Sequence, residues 1–87
     1  MFILLQELTW VEAGKAFEKA KIAIIPIGSN EQHGPHLPLM NDAATAFEFA
    51  RMAAEKAKSE IIVAPLIVVG VSDHHMHFPG TITLSPD

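Results

Sequence analysis

Ile22-Ala23-Ile24-Ile25-Pro26-Ile27-Gly28-Ser29-Asn30-Glu31-Gln32-His33-Gly34-Pro35-His36-Leu37-Pro38-Leu39-Met40-Asn41-Asp42 is the stretch on which the fold turns. Its first six residues are a continuous apolar run, the pattern of a strand covered on both faces. Pro26 has no N–H to give to a ladder and weakens the strand near its end. From Gly28 to Met40 there are two glycines, two prolines (Pro35, Pro38) and no apolar period, so this part reads as a loop.

Beyond the loop the period becomes helical, from about Asn41 to Lys58. Ala43, Ala46, Phe47, Ala50, Ala54 and Ala57 share one face, and Glu48, Arg51, Glu55 and Lys58 the other. Asn41 is the expected N-cap, which puts Asp42 in the first turn, where a carboxylate suits the helix dipole. Ile61-Ile62-Val63-Ala64 is a second apolar run, again of the doubly covered type. Strand, loop, helix, strand is a βαβ unit with a right-handed crossover, so the fold class is α/β with a parallel sheet. Upstream, Thr9-Trp10-Val11-Glu12 has the form of a capping box. It starts a helix over about Trp10–Ala20, with Trp10, Ala13, Phe17 and Ala20 on one stripe. Residues 65–87 read mostly as loop.

The composition narrows the function. Six basic residues against ten acidic ones give a net charge of −4, and the basic residues are scattered. Phosphate backbones require clustered Lys or Arg, so nucleic acid is excluded as a partner. No cysteine is present, which removes disulfides and thiolate zinc sites and is compatible with a reducing compartment; a cytoplasmic location is the expectation. Met1 to Leu5 lack the basic segment of a secretory signal. The longest apolar run, Ile61–Val71, contains Pro65, and a spanning helix needs about 20 residues, so no membrane role is expected. With 87 residues there is room for one small domain. It is 49% apolar and only 18% charged, so part of its apolar surface is expected to be covered by another chain or by further sequence.

The chemistry is concentrated in the loop, which leaves the carboxyl end of one strand and enters a helix N-terminus. Parallel α/β sheets place ligands there. Glu31 and His33 are one residue apart, so on extended backbone both side chains point the same way. Asp42 returns a second carboxylate from the helix start. Two carboxylates and an imidazole suit Zn²⁺ or Mn²⁺. Plainer roles stand beside this one: Asp42 as a capping acid, and His36, between two prolines, as a donor to loop carbonyls.

Gly28-Ser29-x-Glu31-Gln32-His33-Gly34-Pro35-His36-Leu37-Pro38 followed by Asp42 closely resembles the signature of the creatininase family of amidohydrolases. Gly70-x-Ser72-x-x-His75-x-x-Phe78-Pro79-Gly80-Thr81 is similar to the family's second motif, and Leu8-Thr9-Trp10 to its usual opening. The resemblance implies a three-layer parallel-sheet domain of which residues 1–87 are the N-terminal βαβ portion. It also implies hydrolysis of the C–N amide bond of a small cyclic amide or formamide, two Zn²⁺ or Mn²⁺ ions, and a homo-oligomer, a hexamer in the family. Carried over by position, Glu31 binds one ion, His33 the other, and Asp42 bridges them. His36, Ser72 and His75 are placed behind these ligands or on the substrate side.

Two departures from the family pattern bear on these expectations. Where the family has a glutamate before the second-motif histidine, this chain has His74. Composition alone groups His74, His75 and His77 as a metal cluster, but the resemblance gives them no such role and sets them near the site entrance or a subunit contact. The family also carries a further histidine and glutamate ligand on a later strand, beyond Asp87, so the chain is expected to be a truncated N-terminal part. The rival expectation is a fragment that folds, oligomerises and binds an ion weakly, but is catalytically inactive.

Overall fold

Three short parallel strands carry the sheet, and the one latest in the chain lies in the middle. In the computed structural model, which describes residues 2–87, these are β1 (Phe2–Leu4), β2 (Ile22–Ile24) and β3 (Ile61–Val63), in the order β1-β3-β2. β3 pairs with both neighbours, Ile61 lying opposite Phe2 on one side and Ile22 on the other. Helix α1 (Trp10–Lys19) links β1 to β2, and α2 (Asn41–Lys56) links β2 to β3. The expected α/β class and parallel crossover are both present. The first strand is additional: three apolar residues at the start are too few to show a period, and they pair only because β3 offers an edge.

The core lies where α2 crosses β3. Ala50 and Ala54 meet Ile61 and Val63, and Leu4, Ile24 and Ala57 pack around them partly buried. Alanine at the contact positions brings the helix close to the sheet, and all three residues of β3 are buried. β2 differs from expectation. Its run was read as covered on both faces, yet Ile22 is 50% exposed and Ala23 is exposed. β2 is an edge of the sheet, and among the described residues Ile22 and Ala23 are left open to solvent. Regular pairing also stops at Ile24 rather than Ile27, because Pro26 has no N–H. The path nevertheless continues beside residue 67: the Ile67 N–H donates to Pro26 O at 3.0 Å, and the Gly28 N–H to Ile67 O at 2.7 Å.

The capping box of α1 is formed. The Thr9 N–H donates to Glu12 Oε1 at 2.9 Å, and the Glu12 N–H to Thr9 Oγ1 at 3.2 Å. The expected stripe on this helix is not buried as a stripe. The one buried residue of the helix is Ala16, which lies outside that stripe, while Trp10 and Phe17 are 86% and 57% exposed, since a three-stranded sheet ends before reaching that side. At the other helix, Asn41 is not the cap. It is the first helical residue, and Met40 precedes it without a side-chain bond. The Asn41 N–H is taken at 3.2 Å by Pro38 O, so a backbone turn leads into α2 where a side-chain cap was expected. Among the described residues, no helix is long and apolar enough to cross a membrane.

Candidate metal centre

The site forms where two loops meet above the carboxyl ends of β2 and β3. The first loop, 28–40, is set against α2 by Gly28: a Cβ there would lie 2.4 Å from Ala43 Cα, so only glycine allows this approach. The second loop, 70–81, contains a single 3-10 turn at Asp73–His75. Asn30 ties the loops together, donating through Nδ2 to Gly80 O at 2.8 Å and accepting from the Ile82 N–H at 3.0 Å. Gly80 has φ +91, a conformation a side chain strains, and Leu39 occupies the space a Cβ would need.

Glu31, His33 and Asp42 converge, each offering a ligand atom within 4.8 Å of the others. His33 Nε2 lies 3.0 Å from Asp42 Oδ1, yet it is buried and forms no hydrogen bond. A buried ring nitrogen without a partner is costly in a purely structural role. Ligand atoms on one cation with bonds of about 2.0–2.2 Å lie roughly 3.0–3.5 Å apart, so the pair has the spacing of two donors to a shared ion. Nitrogen and carboxylate oxygen without thiolate is a donor set for Zn²⁺ or Mn²⁺. The residues present fit such ions.

Glu31 is braced from behind. The Ser72 hydroxyl, in a fully buried residue, donates to Glu31 Oε2 at 2.7 Å and lies 2.9 Å from Ser29 Oγ. The Ser72 hydrogen bond, outweighing burial, holds the Glu31 carboxyl below its ordinary range, with Ser29, His75 and His74 acting in the same direction. Glu31 is therefore an anion at neutral pH, as a ligand must be. Ser72 is placed in turn by Thr83, whose hydroxyl accepts the Ser72 N–H at 2.7 Å and donates to Asp73 Oδ1 at 2.9 Å.

The remaining expected residues divide. His75 lies beside the site, its Nε2 3.8 Å from Glu31 Oε1 and its Nδ1 3.5 Å from Gln32 Nε2. His36 is exposed on the first loop, over Gly34, and belongs to neither group of converging ligand atoms. Of the three clustered histidines, His74 and His75 come within ligand distance of Glu31, whereas His77 is turned against Phe78 at a ring separation of 4.2 Å. Sequence reading missed Thr83 and Asp73 as supports of Ser72. A Thr ten residues from an Asp carries no motif, and only the pairing of Gly70 with Thr83 brings them together.

The sequence model of the family described as creatinine amidohydrolase matches residues 6–87. The mycofactocin precursor peptide peptidase of Mycolicibacterium smegmatis is 40% identical over 67 residues, which are 72% of this chain and 27% of that protein. The 3-dehydro-scyllo-inosose hydrolase of Thermotoga maritima is 32% identical over 87 residues, covering 98% of this chain and 27% of that protein. Among solved structures, one named "Creatininase Mn" superposes on 98% of this chain and 35% of its own, with TM-score 0.81 and 27% identity. A mutant creatininase of Zn-Zn type covers 98% and 34%, with TM-score 0.77 and 29% identity. The chain thus spans between a quarter and a third of the length of the curated relatives it matches.

Proposed function

The chain belongs to the creatininase family, and from that premise we propose that the whole protein is a divalent-metal amidohydrolase whose first three ligands are Glu31, His33 and Asp42. Residues 1–87 are, in this reading, the N-terminal part of a single creatininase-like domain. The observation that carries the proposal is His33 Nε2, buried, unpaired and 3.0 Å from the Asp42 carboxylate. The manganese and zinc forms of solved creatininases support the choice of ion.

When bound, two such ions supply an acidified water and a Lewis acid for the substrate carbonyl. The chain's own residues have simpler tasks. Asp42 presents a carboxylate from the first turn of α2 and would be the ligand shared by both ions. Glu31, already ionised and held by Ser72, would hold one ion through its second oxygen, and His33 would hold the other through Nε2. Pro35 and Pro38 restrict the loop carrying His33 and His36, so the ligands are arranged before metal arrives. The substrate is a small cyclic amide or formamide, with His36 and His75 on its side of the site; a relative named as a peptidase supports a C–N bond as the target.

Three ligands fill fewer positions than two ions require, since each takes about four to six. The remaining ligands come from outside these 87 residues, and the chain alone is inactive as an amidase. It associates with other copies or with a C-terminal partner, a reading supported by the exposed Trp10, Phe17 and Ile22. Elemental analysis after dialysis tests the core of this. Asp42→Ala is expected to lose both ions where Glu31→Ala or His33→Ala loses one, and equal metal content in wild type and Asp42→Ala removes the bridging role.

A further inference from the structure

We propose that Ser72 is a positioning residue that occupies one oxygen of Glu31 and leaves the other as its single ligating atom. The inference rests on the metal reading above and specifies how Glu31 takes part in it. It follows from counting protons. Ser72 has one hydroxyl proton, and the geometry gives it to Glu31 Oε2 at 2.7 Å. An ionised carboxylate only accepts, so that bond runs one way. The 2.9 Å contact between Ser29 Oγ and Ser72 Oγ therefore has Ser29 as donor. The Ser72 bond spends a lone pair of Oε2 and none of Oε1, and Ser29, which also lowers the Glu31 pKa, stands beside the same carboxylate.

Its placement is not incidental. Ser72 is fully buried in a chain of which little else is, and its backbone N–H is held by Thr83, which is held in turn by Asp73. Ser29 and Glu31 belong to the first loop and Ser72 to the second, so the two loops meet at the carboxylate itself. A free carboxylate beside a cation swings between one-oxygen and two-oxygen binding. With Oε2 hydrogen-bonded from behind, rotation about the terminal torsion is blocked and Oε1 is held out. The second loop thereby sets the denticity of a ligand on the first. His75, 3.8 Å from Oε1, borders the oxygen left free and does not replace the brace.

The test uses the whole protein with Mn²⁺ or Zn²⁺ as the only added ligand. Ser72→Ala is expected to weaken binding by about 10–100-fold, the range seen when a hydrogen-bond partner of a metal ligand is removed. Ser29→Ala, which leaves the Ser72 bond in place, has a smaller effect, and Ser72→Thr, which keeps the hydroxyl, restores binding. In the infrared difference spectrum of metal-loaded against metal-free protein, wild type should show the wide separation of carboxylate stretches of one-oxygen ligation. In Ser72→Ala that separation narrows. Wild-type binding unchanged in Ser72→Ala, or a two-oxygen pattern in wild type itself, overturns the role of Ser72 and leaves the metal reading standing. Failure of the whole wild-type protein to bind either ion overturns both. Should Ser72→Ala lose its circular dichroism signal, the wild-type spectrum and Ser29→Ala decide the matter.

Discussion

β2 and β3 are nearly the same sequence event, Ile22-Ala23-Ile24 and Ile61-Ile62-Val63, each followed by an alanine or isoleucine and a proline. Their surroundings are opposite. Every residue of β3 is buried between two neighbours, Ile61 and Val63 against α2, while β2 is an edge with Ile22 half exposed. A continuous apolar run states what a strand tolerates. What covers it is decided by its rank in the sheet.

The sharpest break of this comparison is a pair of truncations. Ile62→Ala should cost about 2–4 kcal/mol, the range for emptying a well-packed aliphatic site, and Ile22→Ala less than about 1 kcal/mol. Ile62 is 2% and Ile22 50% exposed, and urea unfolding at one low concentration measures both. Equal losses would mean that β2 is covered in solution, and a dependence of the Ile22→Ala loss on protein concentration would identify a second copy as the cover.

Gly28→Ala sharpens it at the point where β2 runs on into the site. The new methyl meets backbone at Ala43, which cannot yield as a side chain would, and overpacking of this kind costs about 1–3 kcal/mol. Displacing the first loop from α2 also parts His33 from Asp42, so metal affinity should fall with stability. Loss of stability alone, with affinity intact, would show the loop to be positioned by the second loop instead.

The smallest effects belong to the exposed layer. Thr9→Ala should cost about 1 kcal/mol, a usual value for an N-cap. Glu12, its partner in the capping box, has its pKa lowered first by the Thr9 backbone N–H and then by the Thr9 hydroxyl. A carboxyl lowered in the folded state contributes stability above its ordinary value of 4.5 and loses it as pH falls through the folded value. Wild type and Glu12→Gln should therefore differ at neutral pH and converge in acid, as read by thermal melts. A constant difference across pH would mean that the box does not outlast fraying of α1.

Local features were legible in the sequence and long-range ones were not. The capping box at Thr9 and Glu12 spans one helical turn, so its residues are all the information it needs. α2 was legible because its alanines repeat with the period of the helix. β1 is three residues and shows no period, and the exposure of β2 depends on a strand order no single run encodes. Asn41 had the chemistry of a cap, but the Pro38 carbonyl reached its N–H first. Glu31, His33 and Asp42 could be named because they sit close together in the chain. Ser72 could be named only by family resemblance, and Thr83 and Asp73 not at all, since their meeting depends on the second loop folding back.

The order β1-β3-β2 also sets a timetable. Neither outer strand can pair with the other, so both wait, solvent-exposed, until Ile61–Val63 has been synthesised and threaded between them. Each ladder then closes a long loop for only three residues of pairing, the kind of topology that slows folding and lengthens the life of sticky intermediates. On the ribosome residues 1–87 have no sheet to begin until Ile61–Val63 emerges, and the seat of the metal ligands forms only after that.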